Sequence, residues 1–167
     1  PANSCNHLTC AKPHPDMCYR WPTEEIPAWS LTQLEGEGAS MKLTTEYPLN
    51  SATPTALKVT LPAEGRVAIG NTGFWGMNIE EGKDYYLRLY TSNGKAVIRL
   101  VGEDGQELCN CPLAIDMAKA WSEYTGHLTA TGSDSRAHLV IELEGKGTLL
   151  LDYVSLFPFE TFRNRAN

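Results

Sequence analysis

Two glycines bracket a pair of adjacent aromatic residues, Phe74 and Trp75, within the stretch Gly70–Glu80. Glycine adopts backbone conformations that other residues avoid, so this stretch predicts a tight turn. Phe74 and Trp75 cannot face the same way if the backbone is extended, and we expect one ring to enter the core while the other is presented to a partner. An aromatic ring can cover the C–H face of a sugar ring. We therefore predict that Trp75 is a sugar platform, and a core tryptophan is the alternative.

A second set of candidate side chains lies on a segment in which apolar and polar positions alternate. Leu87 and Leu89 fall on one face of this segment, and Tyr86, Arg88 and Tyr90 fall on the other. Two rings and a guanidinium are an unusual outer face for a strand without a binding partner. Cross-strand packing of the two tyrosines is the alternative.

A later strand places His138 and Glu142 on its outer face, where Glu142 could also pair with Arg88. A glycosidase needs two carboxyl groups about 5–9.5 Å apart. We find no second carboxylate that faces Glu142, and the sequence has no nucleophile elbow, no zinc-protease motif and no phosphate-binding loop. We therefore expect no catalysis by this chain.

Most of the chain shows the alternation of half-buried strands, with a period of two residues. The segments with this pattern are 28–31, 41–45, 57–61, 66–69, 85–90, 96–101, 107–111, 121–130, 138–143 and 148–157. Turn residues between them predict hairpins at Ser92–Lys95 and Glu103–Gln106, and a tight turn at Gly145–Gly147. The sequence therefore predicts an all-β fold, an antiparallel β-sandwich or jelly roll.

Three further assignments follow from the sequence. Leu113–Trp121 has helical spacing, and we interpret it as a loop with at most one or two helical turns. Trp29 and Trp121 are assigned to the core. Residues 1–27, rich in proline and cysteine, are interpreted as an irregular leader.

The bulk composition excludes several function classes. The net charge of −6 disfavours nucleic acid and anionic membrane surfaces, because binding to either needs basic residues. No apolar run is long enough for a membrane-spanning helix, and the first residues show no signal-peptide pattern. At 167 residues, the expected core is that of a single domain.

The sequence has five cysteines, of which three lie in the first eighteen residues and two flank Asn110. A disulfide between Cys109 and Cys111 is disfavoured if both lie on one strand. One or two bridges to the N-terminal segment would suit a secreted domain and leave one thiol over. A metal site is the alternative, because His7 and His14 lie among the first three cysteines, although the spacing is not that of a zinc module.

Four stretches together resemble the accessory module of glycoside hydrolase family 51 α-L-arabinofuranosidases, which is similar to carbohydrate-binding modules of families 4, 9 and 22. These stretches are Gly70–Glu80, Gly82–Tyr85, Leu149–Pro158 and Glu160–Arg165. The resemblance covers roughly residues 28–167. It implies a galactose-binding-domain-like jelly roll at residues 28–158, and a tail at residues 159–167 that leads toward a catalytic domain.

The resemblance also implies a function and a set of site residues. The module would bind plant cell-wall polysaccharide, arabinoxylan or xylan first and β-glucan next, in a concave cleft of a secreted enzyme. The implied ligand-binding residues are Trp75, Tyr86, Arg88, Tyr90, His138 and Glu142. Asp152 matches a carboxylate that holds a structural calcium ion in related modules, and hydrogen bonding to a loop is its alternative role. A module that only braces the hydrolase, with no sugar affinity, is the second functional hypothesis.

Overall fold

The computed structural model describes Ile26 and residues 28–73, 75–92, 94–109, 113–117 and 121–160. These residues form nine β-strands and no helix, so none of them belongs to a helix that could cross a membrane. The strands are β1 (Trp29–Glu35), β2 (Ser40–Thr44), β3 (Ala56–Asn71), β4 (Met77–Ile79), β5 (Asp84–Ser92), β6 (Gly94–Val101), β7 (Leu113–Met117), β8 (Ser122–Thr129) and β9 (Asp134–Pro158). All their pairings are antiparallel, which confirms the predicted all-β class.

The long strands β3 and β9 pair with each other and run through both layers of a β-sandwich. In the first layer, β2 pairs with the beginning of β3, and β5 lies between β8 and the end of β9. In the second layer, β1 pairs with the end of β3, and β6 lies between β7 and residues 138–144 of β9. β4 adds to the first residues of β9.

One apolar core lies between the layers, because both layers contribute their inward-facing positions to it. Its members include Leu57, Val59, Val67, Ile69, Leu87, Leu89, Ile98, Leu100, Leu139 and Ile141, all fully buried. Each of them has outward-facing neighbours along its strand, as the period of two predicts. The alternation therefore identified the inner face of each layer correctly.

The tight turn predicted at Gly145–Gly147 is wrong, because β9 continues through these residues as one strand. Gly145 and Gly147 have φ angles of 121° and 131°, which residues with a side chain rarely adopt. The pairing register with β3 also shifts here, between Leu61 and Gly65. The glycines thus let a single strand pass from one layer to the other. Likewise, the segments predicted at 57–61 and 66–69 are one strand, β3.

Two further predictions about connections and segments are corrected. The predicted hairpin at Ser92–Lys95 is wrong, since the described residues of β5 and β6 pair with different parts of β9 and not with each other. Leu113–Met117, where we expected a loop with one or two helical turns, is strand β7 and pairs with β6. Strand pairing outweighs the helical propensity of this segment. The predicted turn at Glu103–Gln106 is confirmed, because the N–H of Gly102 donates to the carbonyl of Gln106 at 2.8 Å.

The two tryptophans assigned to the core differ. Trp29 is half-buried and packs against the core, as predicted. Trp121 lies outside the core, where its Nε1 donates a hydrogen bond to the carbonyl oxygen of Tyr47 at 2.9 Å, so its assignment was wrong. Cys109 is buried, and its Sγ accepts a hydrogen bond from the N–H of Leu100. Outside the described residues lie Phe74, the four cysteines other than Cys109, and every residue of the leader except Ile26.

Candidate functional site

The outer face of β5 is the centre of the candidate site. Leu87 and Leu89 point into the core, and the alternation leaves Tyr86 and Tyr90 half-buried and Arg88 exposed on the other side. β5 lies between β8 and β9, so side chains from three adjacent strands meet on this face. This orientation of Tyr86, Arg88 and Tyr90 is the predicted one.

A groove of about 440 Å³ lies at one end of this face. Its floor comes from β5 and β9, and one wall comes from the loop between β2 and β3. The described residues that line it are Leu49, Asn50, Arg88, Tyr90, Tyr153, Val154 and Ser155. They include one guanidinium and two phenols but no carboxylate. The groove can therefore stack on a ligand and hydrogen-bond to it, but its lining supplies no acid–base pair of carboxyl groups.

Tyr90 and Tyr153 form the aromatic part of the floor. Their ring centroids are 6.1 Å apart, and the ring planes are inclined by 69°, an edge-to-face arrangement. Both rings are held by the sheet, because the two residues lie on paired strands. The rings thus offer two inclined surfaces rather than one flat platform.

Tyr153 reaches the groove because β9 has an irregularity at this point. Before Asp152, the odd-numbered residues Leu149 and Leu151 point into the core. After it, the even-numbered residues Val154 and Leu156 pack against the core. The pairing register with β5 shifts at the same place, and Tyr153 has a φ of 47°. An extra residue in one strand re-aims the side chains that follow it. Counting in twos from Leu149 would have put Tyr153 in the core, so the sequence analysis missed it.

Arg88 is fixed above the floor by two partners. Its Nε pairs with the carboxylate of Glu123 on β8, and its Nη2 donates to the Oη of Tyr90 at 2.9 Å. Its guanidinium carbon is 5.4 Å from the centroid of the Tyr90 ring. Hydrogen bonding to Tyr90 and to Glu123 raises the pKa of Arg88, so the guanidinium stays charged. The ion pair between Arg88 and Glu142, raised as an alternative, is wrong, because Arg88 pairs with Glu123.

Hydrogen bonds tie the wall of the groove to its floor. The side-chain Oδ1 of Asn50 accepts hydrogen bonds from the backbone N–H groups of Ala52 and Thr53, both at 2.9 Å. The hydroxyls of Thr53 and Tyr153 are 3.0 Å apart and hydrogen-bonded. These contacts preform the loop, so a ligand would not have to order it.

Tyr86 lies on the same face, beyond the residues that line the groove. Its ring meets the ring of His127 on β8 at a centroid distance of 5.4 Å, and His127 in turn lies 5.6 Å from the ring of Phe159. Phe157 is opposite Tyr86 on β9. Tyr86 therefore belongs to an aromatic cluster separate from the Tyr90–Tyr153 pair.

Trp75 is 85% exposed, on the turn between β3 and β4. The turn is held against the start of β9, where a Cβ on Gly76 would lie 2.4 Å from the Cα of Arg136 and only glycine fits. Trp75 is not among the residues that line the groove. The indole is thus open to water but is not brought into one cleft with Arg88 and Tyr90.

His138 and Glu142 lie in the second layer, on the outer face of the first half of β9. The Glu142 carboxylate accepts hydrogen bonds from Arg66 at 3.3 Å and from Arg99 at 3.1 Å. His138 is half-buried, close to Gly70. The two residues face away from the layer that carries the groove, so the expectation that they share a cleft with Tyr90 is wrong.

Asp152 is 1% exposed and sits at the irregularity of β9, beneath the groove floor. Its Oδ1 accepts a hydrogen bond from the N–H of Tyr153 at 2.8 Å, and its Oδ2 has no hydrogen-bond partner among the described residues. Burial raises the pKa of this carboxyl group. Calcium takes six to eight oxygen ligands. The buried oxygen suits a metal ion, but no group of three or more acidic, histidine or cysteine side chains among the described residues could hold one, so the fit to calcium is incomplete.

The chain has relatives among α-L-arabinofuranosidases, although no family model matches it. α-L-Arabinofuranosidase 2 of Arabidopsis thaliana is 32% identical over 108 residues, which cover 61% of this chain and 16% of that protein. An extracellular exo-α-L-arabinofuranosidase of Streptomyces chartreusis is 28% identical over 102 residues, covering 60% of this chain and 12% of that protein. The chain thus spans at most 16% of the length of these relatives and is similar to an accessory region of them, as predicted.

Solved structures share its fold. An arabinose-bound family 51 α-L-arabinofuranosidase matches with a TM-score of 0.69 at 24% identity, over 83% of this chain and 24% of that chain. A CBM4 module matches with a TM-score of 0.57 at 19% identity, over 78% and 94% of the two chains. The CBM22-1 xylan-binding domain from Paenibacillus barcinonensis has a TM-score of 0.52 at 13% identity, over 81% and 88%. At these identities the likeness shows the fold, the β-sandwich of carbohydrate-binding modules.

Proposed function

We propose that this chain is a non-catalytic carbohydrate-binding module that holds a glycan in the groove beside Tyr90. One observation carries the proposal: two tyrosines and a charged guanidinium converge on the floor of a groove of about 440 Å³ with a preformed wall. Small-ligand sites are concave, with aromatic surface and a few placed polar groups. The groove has this composition.

The chemistry of the groove matches that of a sugar. The rings of Tyr90 and Tyr153 cover C–H faces, and Arg88 and Asn50 satisfy hydroxyl groups. A ring that buries about 80–100 Å² of apolar surface stabilises the complex by about 2 kcal/mol. Two rings and a few hydrogen bonds in competition with water then give a Kd on the order of 10 μM to 1 mM. Such an affinity suffices for a module that raises the local concentration of a linked enzyme on a polymer.

Plant cell-wall polysaccharide is the proposed ligand, with arabinoxylan or xylan ahead of β-glucan. The support is the similarity to α-L-arabinofuranosidases and the shared fold with a xylan-binding domain. The proposed setting is extracellular, since one relative is described as an extracellular enzyme. Catalysis, by an α-L-arabinofuranosidase-type domain, would belong to the remainder of the parent protein, because the groove lining holds no carboxylate.

Three of the residues predicted from the sequence lie outside the groove. Trp75 would make a separate sugar contact at the β3–β4 turn, supported by its exposure. His138 and Glu142 would make none in the groove, since they lie on the other layer. The proposal therefore centres on Arg88, Tyr90 and Tyr153.

Affinity electrophoresis in native gels that contain soluble arabinoxylan, xylan or β-glucan tests the proposal. We expect retardation of the wild-type chain and its loss in Tyr153→Ala at an unchanged fold. Glu142→Gln is the control, because it changes a comparable half-buried position on the other layer. Absence of retardation on every polysaccharide would favour the bracing role, and loss of retardation in Glu142→Gln alone would move the site to the second layer.

A further inference from the structure

An apolar patch lies at the end of the first layer where β9 finishes. It consists of Tyr86, His127, Phe157 and Phe159, and we call it the exit patch. The ring of His127 contacts both Tyr86, at 5.4 Å, and Phe159, at 5.6 Å. Phe157 lies in β9 and is 50% exposed, and Phe159, just after the strand, is 63% exposed. Two phenylalanines of the patch thus face water.

The proposed sugar site does not account for this exposure. None of the four residues lines the groove. Phenylalanine has no polar group to bind a hydroxyl, and the polar groups of the patch are the phenol of Tyr86 and the imidazole of His127. Contiguous exposed apolar surface in a soluble domain marks a contact with another surface. The patch therefore suits the apolar part of a protein surface, and the addition of polysaccharide in the test distinguishes this occupant from a glycan stacked on the rings.

The course of the backbone indicates which occupant that is. The N–H of Phe159 donates to the carbonyl of Asp84 at 2.8 Å, and Lys83 pairs with Glu160 at 2.9 Å. These two contacts hold the backbone against the sheet, beside the patch, up to residue 160. The relatives are more than six times longer than the matched region, which makes up 16% of the Arabidopsis protein.

We propose that the exit patch is the docking surface for the remainder of the parent protein, of which this chain is an accessory region. The partner surface would present apolar side chains to Phe157 and Phe159 and a hydrogen-bonding group to His127. The proposal rests on the chain being an accessory region of a longer protein, and not on sugar binding. Covalent linkage raises the effective concentration of the partner surface, to the millimolar range for a short flexible connection, so even a small patch can dock.

Histidine modification by diethyl pyrocarbonate, read by mass spectrometry, tests the proposal on the 167-residue chain and on the parent protein. His127 belongs to the patch and is exposed in the 167-residue chain. We expect its modification to be about tenfold slower in the parent protein. This factor applies to a docked contact whose Kd is about ten times below the effective concentration. His138 lies on the other layer and is the internal control, with equal rates in both proteins.

The double variant Phe157→Ser/Phe159→Ser in the parent protein should restore the fast modification of His127 and leave polysaccharide retardation intact. Leu34→Ser, at an exposed position of β1, is the matched control and should leave His127 protected. Equal His127 rates in the chain and the parent would overturn the proposal. So would protection that appears in the short chain on adding polysaccharide, or that depends on its concentration, since the occupant would then be a glycan or a second copy.

Discussion

Replacing Tyr90 by alanine is the sharpest test of the groove, because Tyr90 links all its parts. Its ring faces that of Tyr153 at 6.1 Å, and its Oη accepts the hydrogen bond from Arg88. It is half-buried on an outer face, with no role in the apolar core. The substitution therefore removes binding surface without opening a cavity between the layers.

The expected size follows from the ring area. Loss of about 80–100 Å² of stacked surface costs about 2 kcal/mol of binding free energy, which corresponds to a Kd about thirtyfold higher. The free energy of unfolding should fall less, because an edge-to-face ring pair contributes about 0.5–1.5 kcal/mol. For a domain of this size, 1 kcal/mol shifts the Tm by about 2–4 °C.

Retardation in arabinoxylan gels and a thermal melt together measure both quantities. Tyr90→Phe is the matched control: it keeps the ring and removes the Oη that accepts from Arg88, so we expect most of the affinity to remain. If Tyr90→Ala binds as well as the wild type, the groove is not the glycan site. If Tyr90→Phe loses as much as Tyr90→Ala, the hydroxyl network rather than stacking carries the affinity, and the area argument fails.

Three further substitutions separate the remaining candidates. Trp75→Ala should weaken retardation at an unchanged Tm, because the indole is exposed and packs on little; unchanged retardation would remove Trp75 from the binding surface. Glu142→Gln should lower the Tm, and less so at high salt, because it weakens the pairs with Arg66 and Arg99. Burial raises the pKa of Asp152, so the stability that this group contributes is present below its unfolded pKa and is lost as the pH rises through the folded pKa. Asp152→Asn should therefore raise the Tm at neutral pH and change it little at low pH; if calcium is bound, the variant should instead lower the Tm and abolish its sensitivity to EDTA.

The part of the site that the sequence predicted is the part carried by a regular strand. On β5, a period of two residues is enough to place Tyr86, Arg88 and Tyr90 on the outer face, and the structure confirms it. The same count does not hold on β9, where one irregularity places Tyr153 on the groove floor instead of in the core. The wall at Asn50 was missed as well, because it belongs to a loop with no periodicity to read.

Periodicity has a second limit, which explains the misplacement of His138 and Glu142. It separates inner from outer positions, but a sandwich has two outer faces, and alternation is identical on both. β9 contributes to each of them, with Glu142 on one side of the glycine pair and Tyr153 on the other. Deciding between the faces requires knowing whether Gly145 and Gly147 close a hairpin or let one strand change layers, and the local sequence is compatible with both. The pairing partners decide it. The first half of β9 pairs with β6 and the second half pairs with β5, and β5 and β6 lie in different layers, so Gly145 and Gly147 let one strand pass from layer to layer.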